Sequence, residues 1–376
     1  MRFVAIDGRR TRTRTKAPQR GPSNRPRPSR SSFVLELQNG AGSWPNSCPT
    51  SELLHTHADS LTNAARGKPV TPLAAAPNPE NLAGLTGEFS DAALVLVGHG
   101  STLNADSALP TYFHGDALRA RGIFGQVREC FWKQEPGICA VLRGVFLSRV
   151  FIVPLFISDG YFTEEIIPRE LGFPRAPAGG YRRQMMRGTQ RIVYTEPVGT
   201  HPQMTEVILA RAREAVGSGG PMPAEISLFV AGHGTGNNEN SRKAIERQVE
   251  RISALQRYRD VHAVFMEEDP RIAECHQLAQ AENIVVTPFF ISDGLHSYED
   301  IPVMLGEAES VVQERFRRGE PTWINPTQRH GRNVWYARSI GTEPGLADVI
   351  LERVRERADA EAGQLVTVTA AERDVH

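Results

Sequence analysis

The chain repeats itself at long range, and this feature constrains its fold most. The segment Val97–Ser101 (Val-Gly-His-Gly-Ser) recurs as Ala231–Thr235 (Ala-Gly-His-Gly-Thr), and Val153–Gly160 recurs as Thr287–Gly294, both at an offset of 134 residues. Solenoid repeats have units of only about 20–50 residues. A period this long therefore indicates two duplicated domains.

A third repeated pair shows where the two copies differ in length. Val198–Thr200 recurs as Ile340–Thr342 at an offset of 142 residues, so the second copy carries about eight inserted residues after Gly306.

Four segments are predicted along the 376 residues: a basic N-terminal extension (1–88), a first repeat (89–219), a second repeat (222–362) and a flexible tail (363–376). The first thirty residues contain nine Arg and one Lys against a single Asp. Such a composition cannot bury enough apolar surface to fold, so we predict a disordered extension. An organelle transit peptide is the alternative for this segment. Each repeat is long enough to bury its own core.

Composition excludes several classes of protein. The 43 basic side chains balance the 43 acidic ones, so the net charge gives no reason to expect a nucleic-acid or membrane partner. No run of 18 apolar residues is present, which excludes a predicted membrane-spanning helix. The four cysteines show no Cys-x-x-Cys spacing. They are predicted to be reduced thiols, and the protein is predicted to be cytoplasmic.

Each copy alternates apolar runs with amphipathic stretches. Predicted strands are Ala93–Val97, Gln126–Phe131, Val150–Phe156 and Arg191–Tyr194 in the first copy, and Ile226–Ala231, Val261–Met266, Ile284–Phe290 and Asn333–Ala337 in the second. Predicted helices lie near 106–121, 136–148, 162–171 and 201–217, and near 240–256, 270–281, 297–305 and 343–360. This alternation indicates an α/β fold in which each copy forms a small parallel sheet flanked by helices.

Three polar side chains of the second copy follow the ends of three predicted strands. His233 follows the first strand, Glu267 the second, and His296 the third. In open parallel sheets, sites form at the carboxyl ends of the strands. We therefore expect these three side chains to meet at one edge of the sheet.

Two imidazoles at one sheet edge favour a divalent transition metal. His233 and His296 are the predicted metal ligands. His233 and Glu267 are the predicted catalytic groups, and a carboxylate of Glu267 or Glu268 is predicted to act as a general base or a metal-delivery ligand. Two protein ligands leave coordination positions open, which suits a metal passed to a substrate better than a structural zinc. The alternatives are a locally hydrogen-bonded His233, a solvated His296, and a Glu267 that caps the helix after Pro270.

The first copy lacks most of these groups. It keeps His99, but Lys133 stands where the second copy has Glu267, and Phe162 where it has His296. We predict that the first site is degenerate and that His99 faces the ligand.

The insertion in the second copy is basic. Arg315, Arg317 and Arg318 are predicted to lie in a loop and to bind substrate, because guanidinium groups pair with carboxylates in a bidentate manner. Solvated loop charge is the alternative.

The Gly-His-Gly-[Ser/Thr] motif, followed by Pro-[Leu/Phe]-Phe-Ile-Ser-Asp-Gly, His296 and a downstream Asp-Ile-Pro, resembles the class II chelatases. These are the sirohydrochlorin cobaltochelatases and ferrochelatases of cobalamin and siroheme biosynthesis, and the resemblance covers about 89–362. It implies two similar α/β domains that face each other across a cleft. It also implies insertion of Co²⁺ or Fe²⁺, the metal being a substrate, into a polycarboxylate tetrapyrrole without an organic cofactor. The family's two metal-contacting histidines fall on His233 and His296, and its strand-end carboxylate on Glu267.

Two other functions remain open from the sequence. The first is a non-catalytic carrier of metal or tetrapyrrole on the same fold. The second is a phosphoryl-transfer protein, although the chain contains no glycine-rich phosphate loop that would support it.

Overall fold

The computed structural model describes residues 87–102, 104–234 and 239–373. The predicted N-terminal extension lies outside the described residues, apart from its last two. None of the helices in the described part of the chain combines the length and apolar composition needed to span a bilayer.

The described residues of the first repeat form five strands and four α-helices. The strands are β1 (Phe89–Gly98), β2 (Phe124–Phe131), β3 (Arg149–Pro154), β4 (Gln184–Arg187) and β5 (Gln190–Tyr194). The helices are α1 (Leu109–Ala120), α2 (Ile138–Val141), α3 (Ile167–Glu170) and α4 (Met204–Val216). A π-helical turn, Phe162–Ile166, leads into α3.

The second repeat has the same order of elements with one addition. Its strands are β6 (Ile226–Gly232), β7 (Asp260–Phe265), β8 (Asn283–Pro288), β9 (Thr327–Arg329) and β10 (Arg332–Tyr336). Its helices are α5 (Glu239–Ala254), α6 (Cys275–Leu278), α7 (Ile301–Met304), α8 (Glu309–Arg317) and α9 (Leu346–Arg373). A π-helical turn, His296–Asp300, precedes α7. Helix α9 continues into the segment predicted as a tail, and α8 forms the insertion.

The two sheets have the same topology. Their strand orders are β2-β1-β3-β5-β4 and β7-β6-β8-β10-β9. The four strands predicted in each repeat are parallel to one another, and β4 and β9 add an antiparallel edge strand. The predicted α/β class is confirmed. The central strands are apolar on both faces because helices cover both: Ala92–Val97 of β1 and Leu228–Ala231 of β6 are fully buried.

The repeats exchange their last helices. Helix α4 of the first repeat packs on β8 and β10 of the second sheet, and α9 of the second repeat packs on β3 of the first. Each repeat keeps an outer core of its own. A third apolar core, which includes Ile208 of α4 and Ile350 of α9, is shared by both repeats. Each repeat thus buries a core of its own, and the exchanged helices carry further apolar faces across the boundary into the shared core.

Two buried arginines hold the exchanged helices in equivalent ways. The Nε and Nη2 atoms of Arg211 donate to the Ser339 carbonyl oxygen (3.0 Å) and to Thr342 Oγ1 (2.7 Å). In the other direction, Nη2 of Arg353 donates to the carbonyl oxygen of Pro197 (3.0 Å) and to Thr200 Oγ1 (2.7 Å). These contacts are related by the same 142-residue offset, so they are a symmetric feature of the duplicated fold.

The free energy of unfolding is expected to decrease as the pH is lowered from 6.5 to about 4, because of His114. This side chain is fully buried at the boundary between the repeats, where Nε2 donates to the Gly341 carbonyl oxygen at 2.7 Å. Burial lowers the pKa of His114 from 6.5 to about 4. The unfolded chain binds the proton more readily, so stability is complete above pH 6.5 and is lost as the pH falls to the folded-state pKa. The loss amounts to about 3 kcal/mol.

Urea unfolding of the wild type and of His114→Gln at several pH values checks this expectation. Between pH 6.5 and pH 4, the free energy of unfolding of the variant should fall less steeply than that of the wild type. The difference in slope should reach about 1.4 kcal/mol per pH unit, because one titrating group is gone. Equal pH dependence of the two proteins would contradict it.

Candidate metal centre

The turn after β6 presents His233 at the carboxyl edge of the second sheet. Gly234 adopts φ +69°, and a Cβ there would lie 2.4 Å from Glu268 Cγ and 2.9 Å from Phe265 Cβ. Only glycine fits this backbone, since the left-handed region and the close approach both exclude a side chain. The chain therefore turns sharply after the strand and leaves the imidazole at the edge of the sheet.

His233 has one nitrogen satisfied and one without a partner. Its Nδ1 donates to the Gly234 carbonyl oxygen at 3.2 Å. In the neutral ring the lone pair is then on Nε2. This Nε2 atom is buried, and none of the described residues forms a hydrogen bond with it. A buried polar atom without a partner is costly, so Nε2 is suited to bind a ligand that the chain itself does not supply.

His296 begins the π-helical turn after β8, and its orientation is set by a carboxylate. Its Nδ1 lies 2.7 Å from Oδ2 of Asp300, four residues later. Metal-binding histidines characteristically engage their second nitrogen with a carboxylate or carbonyl, which fixes the tautomer and the ring orientation. With Nδ1 donating to the carboxylate, the lone pair of the neutral His296 ring is on Nε2.

The two imidazoles converge as the sequence predicts. Their ring centroids are 5.0 Å apart, with the ring planes at 79° to each other. Among the described residues, no group of three or more His, Cys, Asp or Glu side chains is arranged to hold a metal ion. The pair therefore offers two imidazole donors, fewer than the four ligands of a structural zinc centre.

Glu267 lies beside this pair. Its Oε2 is 3.8 Å from Nδ1 of His233. The carboxylate is more than one-third exposed. The helical turn that follows is capped by Glu274, which accepts from the Arg271 backbone N–H at 2.9 Å. The alternative of a capping role for Glu267 is thus not supported.

In the first repeat, aromatic side chains surround His99, the counterpart of His233. His99 lies 5.4 Å from Trp132 and 5.5 Å from Phe162, measured between ring centroids. Burial lowers the pKa of His99 and also that of Lys133. Ile166 stands where the second repeat has Asp300. The first repeat therefore lacks the counterparts of Glu267, His296 and Asp300.

Loops from the two repeats meet next to His296. Asn104 Nδ2 is 3.5 Å from the carbonyl oxygen of Asp293, and Tyr298 donates to Asp106 Oδ2 at 3.1 Å. The loop that follows His99 thus contacts the segment that carries His296. A loop that follows the first strand of the first sheet therefore lies against the loop and turn that carry His296.

The prediction that Arg315, Arg317 and Arg318 lie in a loop is wrong. Arg315 and Arg317 belong to helix α8, and Arg318 caps its end. Arg315 pairs with Glu307 at 3.5 Å, whereas Arg317 and Arg318 pair with Glu314 and remain 70% and 61% exposed. Phe316 of this helix lies 5.9 Å from the ring of Tyr298, so α8 packs beside the π-helical turn of His296.

Asp300 is the residue of this site that sequence reasoning missed. Its signal was the four-residue spacing from His296, which places both side chains on one face of a helical turn. A histidine motif by itself does not show which side chain orients the ring.

Asp300→Asn is expected to weaken Co²⁺ binding by about 10- to 100-fold, because the amide holds the His296 ring less firmly than the carboxylate does. Equilibrium titration with Co²⁺ measures this change. Asp116→Asn, at a carboxylate that is 78% exposed, is the matched control and should bind Co²⁺ like the wild type. Equal affinities of the Asp300 and Asp116 variants would contradict the role of Asp300.

The fold and the histidine pair define a class: duplicated α/β proteins of the chelatase type. The CbiX family model matches residues 93–215 and 227–357, and the chain belongs to this family. The resemblance inferred from the motifs is therefore confirmed.

Three known proteins illustrate this relationship. A probable sirohydrochlorin cobaltochelatase of Halobacterium salinarum is 42% identical over 284 residues, which cover 73% of this chain and 94% of the relative. A Deinococcus radiodurans structure, described as a multi-domain protein similar to chelatases with two additional novel domains, aligns with a TM-score of 0.56 and 31% identity. That alignment covers 70% of this chain and 54% of the other, so this chain spans about half its length. SirB from Bacillus subtilis, solved with Fe³⁺, shares the fold (TM-score 0.53, 17% identity, 73% and 98% covered).

Proposed function

We propose that this protein is a metal chelatase that inserts Co²⁺ or Fe²⁺ into a polycarboxylate tetrapyrrole such as sirohydrochlorin, in cobalamin or siroheme biosynthesis. The observation that carries the proposal is the pair formed by His233 and His296, 5.0 Å apart, with the buried Nε2 of His233 unpartnered among the described residues. Membership of the CbiX family and the name of the Halobacterium relative support the choice of substrate and favour cobalt.

The histidine pair suits delivery of a metal rather than its storage. The Nε2 atoms of His233 and His296 hold a partly hydrated divalent ion, and the remaining coordination positions carry water. Pyrrole nitrogens of the bound macrocycle displace this water one after another. A site with more protein ligands would bind the ion more tightly and release it more slowly.

Insertion releases two protons from the pyrrole N–H groups, and these need an acceptor. We assign this role to Glu267, because its carboxylate is partly exposed and lies 3.8 Å from His233 Nδ1. The carboxylate passes each proton to solvent. His233 accepts a proton only after the metal has left its Nε2, so the two groups act at different stages.

The substrate carboxylates bind in the proposed cleft between the repeats. Arg317 and Arg318 are the basic groups of α8 that remain exposed beside the His296 turn. Arg315 contributes less, because it is engaged with Glu307 and with the carbonyl oxygen of Thr322. His99 faces the macrocycle from the first repeat, where the aromatic side chains around it offer a flat apolar surface.

Incubation of the protein with sirohydrochlorin and Co²⁺, Fe²⁺ or Ni²⁺ tests the proposal through the visible spectrum of the macrocycle. The expected result is a spectral change that proceeds with time and exceeds one turnover per protein chain. Metal-dependent binding of the macrocycle without such a change would overturn the proposal and support the carrier alternative.

A further inference from the structure

A buried hydrogen-bond network lies behind the His296 turn. Ser297, the residue after His296, is within 3.0 Å of Ser339 through their hydroxyl oxygens. The backbone N–H of Ser339 donates to Asp293 Oδ1 at 3.0 Å. The side chains of Ser297 and Ser339 are withdrawn from solvent, with 4% and 1% of the residue surface exposed. The turn that carries the metal ligand is thus bonded to the segment that follows β10.

Part of this arrangement is common to both repeats and belongs to the fold. Tyr336 donates to the Ser297 carbonyl oxygen at 2.9 Å, and Tyr194 donates to the Thr163 carbonyl oxygen at 2.8 Å. In each repeat a tyrosine therefore satisfies a carbonyl group of the π-helical turn. The contacts of Arg211 and Arg353 with the opposite repeat are equally symmetric.

The hydroxyl pair and its aspartate contact belong to the second repeat. Pro197 stands where the second repeat has Ser339, and proline has neither a backbone N–H nor a hydroxyl group. Thr163, the counterpart of Ser297, forms its hydrogen bonds with the backbone of Gly160 instead. The repeat that has Phe162 in place of His296 therefore also lacks the means to build this network.

We propose that Ser339 is a positioning residue for His296, and that Arg211 lets the first repeat support the metal site of the second. Arg211 is 2% exposed and donates from Nε to the carbonyl oxygen of Ser339 at 3.0 Å. The Ser339 hydroxyl in turn holds Ser297, which is covalently next to His296. The first repeat, which lacks a counterpart of His296, thus holds the segment that orients a ligand of the second.

This inference rests on the proposed function, because positioning matters only if His296 binds the metal. A metal ligand must be held within about 0.5 Å of its productive position, and groups behind the ligands commonly change metal affinity 10- to 100-fold. Loss of the Ser339 hydroxyl should therefore weaken metal binding while leaving the apolar cores intact.

Ser339→Ala in the full chain tests the inference, with Thr163→Ala as the matched variant of the first repeat. For Ser339→Ala we expect about a tenfold weaker Co²⁺ affinity, a changed visible spectrum of bound Co²⁺, and a higher KM for the metal with an unchanged KM for the tetrapyrrole. Thr163→Ala should lose as much thermal stability as Ser339→Ala but keep the wild-type Co²⁺ affinity and spectrum.

Equal Co²⁺ affinity and spectrum for the two alanine variants would overturn the inference and leave Ser339 a purely structural residue. His296→Ala separates this outcome from failure of the proposed function. If His296→Ala weakens Co²⁺ binding and Ser339→Ala does not, only the positioning role is wrong. If His296→Ala leaves Co²⁺ binding unchanged, the metal site itself is wrong. Should Ser339→Ala fail to fold, Ser297→Ala, which keeps the carbonyl contact with Tyr336, decides by the same measurements.

Discussion

Replacing His296 with alanine is expected to lower the rate of metal insertion by at least about a hundredfold, since removal of a direct ligand should cost no less than removal of the group behind it. The ring supplies one of only two imidazole nitrogens at the site, and its neighbour His233 cannot by itself hold the ion in one place. The side chain is partly exposed, so its loss should leave the melting temperature close to that of the wild type. Steady-state insertion of Co²⁺ into sirohydrochlorin measures the rate.

His99→Ala is the matched variant in the first repeat, because His99 has the same place after β1 that His233 has after β6. Its expected effect is a moderate rise in the KM for the tetrapyrrole with retained turnover. The opposite pattern, in which His99→Ala is inactive and His296→Ala is active, would assign the chemistry to the first repeat.

Ile208→Ala and Ile350→Ala are each expected to lower the free energy of unfolding by about 2–5 kcal/mol. Both side chains are fully buried in the core that the two repeats share, at equivalent positions of the exchanged helices α4 and α9. A cavity left by either side chain lowers the stability of both repeats, because each helix packs on the sheet of the other repeat. The chain should therefore unfold in one cooperative transition in the wild type and in both variants.

Urea unfolding followed by circular dichroism and by tryptophan fluorescence checks this expectation. Met186→Ala, at a side chain that is 65% exposed, serves as the control and should change stability by less than about 0.5 kcal/mol. Two separate transitions, with Ile208→Ala shifting one and Ile350→Ala the other, would show that the repeats unfold independently.

The sequence predicted the central strands because their signal is local. Runs such as Ala93–Val97 and Ile284–Phe290 are apolar on both faces, which is typical of buried parallel strands. The offset of the repeated motifs then showed which strand of one copy matches which strand of the other. Since parallel strands end at one edge, the convergence of His233 and His296 followed from strand order alone, without knowledge of any contact.

The edge strands, helix α8 and the exchange of the last helices between the repeats were missed for physical reasons. β4 and β9 consist of the short polar segments Gln184–Arg187 and Thr327–Arg329, whose pairing in hairpins leaves little hydrophobic periodicity. Helix α8 was not predicted, because its charged residues Arg315 and Arg317 indicated a solvated loop. An amphipathic pattern shows that α4 and α9 bury one face, but it does not show which sheet covers that face.

The groups behind the ligands were the least predictable part of the site. Asp300 lies within one helical turn of His296 and could have been found from its spacing. Ser339 lies 43 residues from His296 in the chain, and its hydroxyl reaches Ser297 only through the packing of β10 beside β8. Comparison of the two repeats at this position, serine against proline, was the available signal.

The location of bound cobalt tests the account most directly. Crystals of the protein soaked in Co²⁺, with data collected at the cobalt absorption edge, should show one strong anomalous peak about 2.1 Å from Nε2 of both His233 and His296. A strong peak at His99, or full occupancy elsewhere with none between His233 and His296, would contradict the assignment of the metal centre to the second repeat.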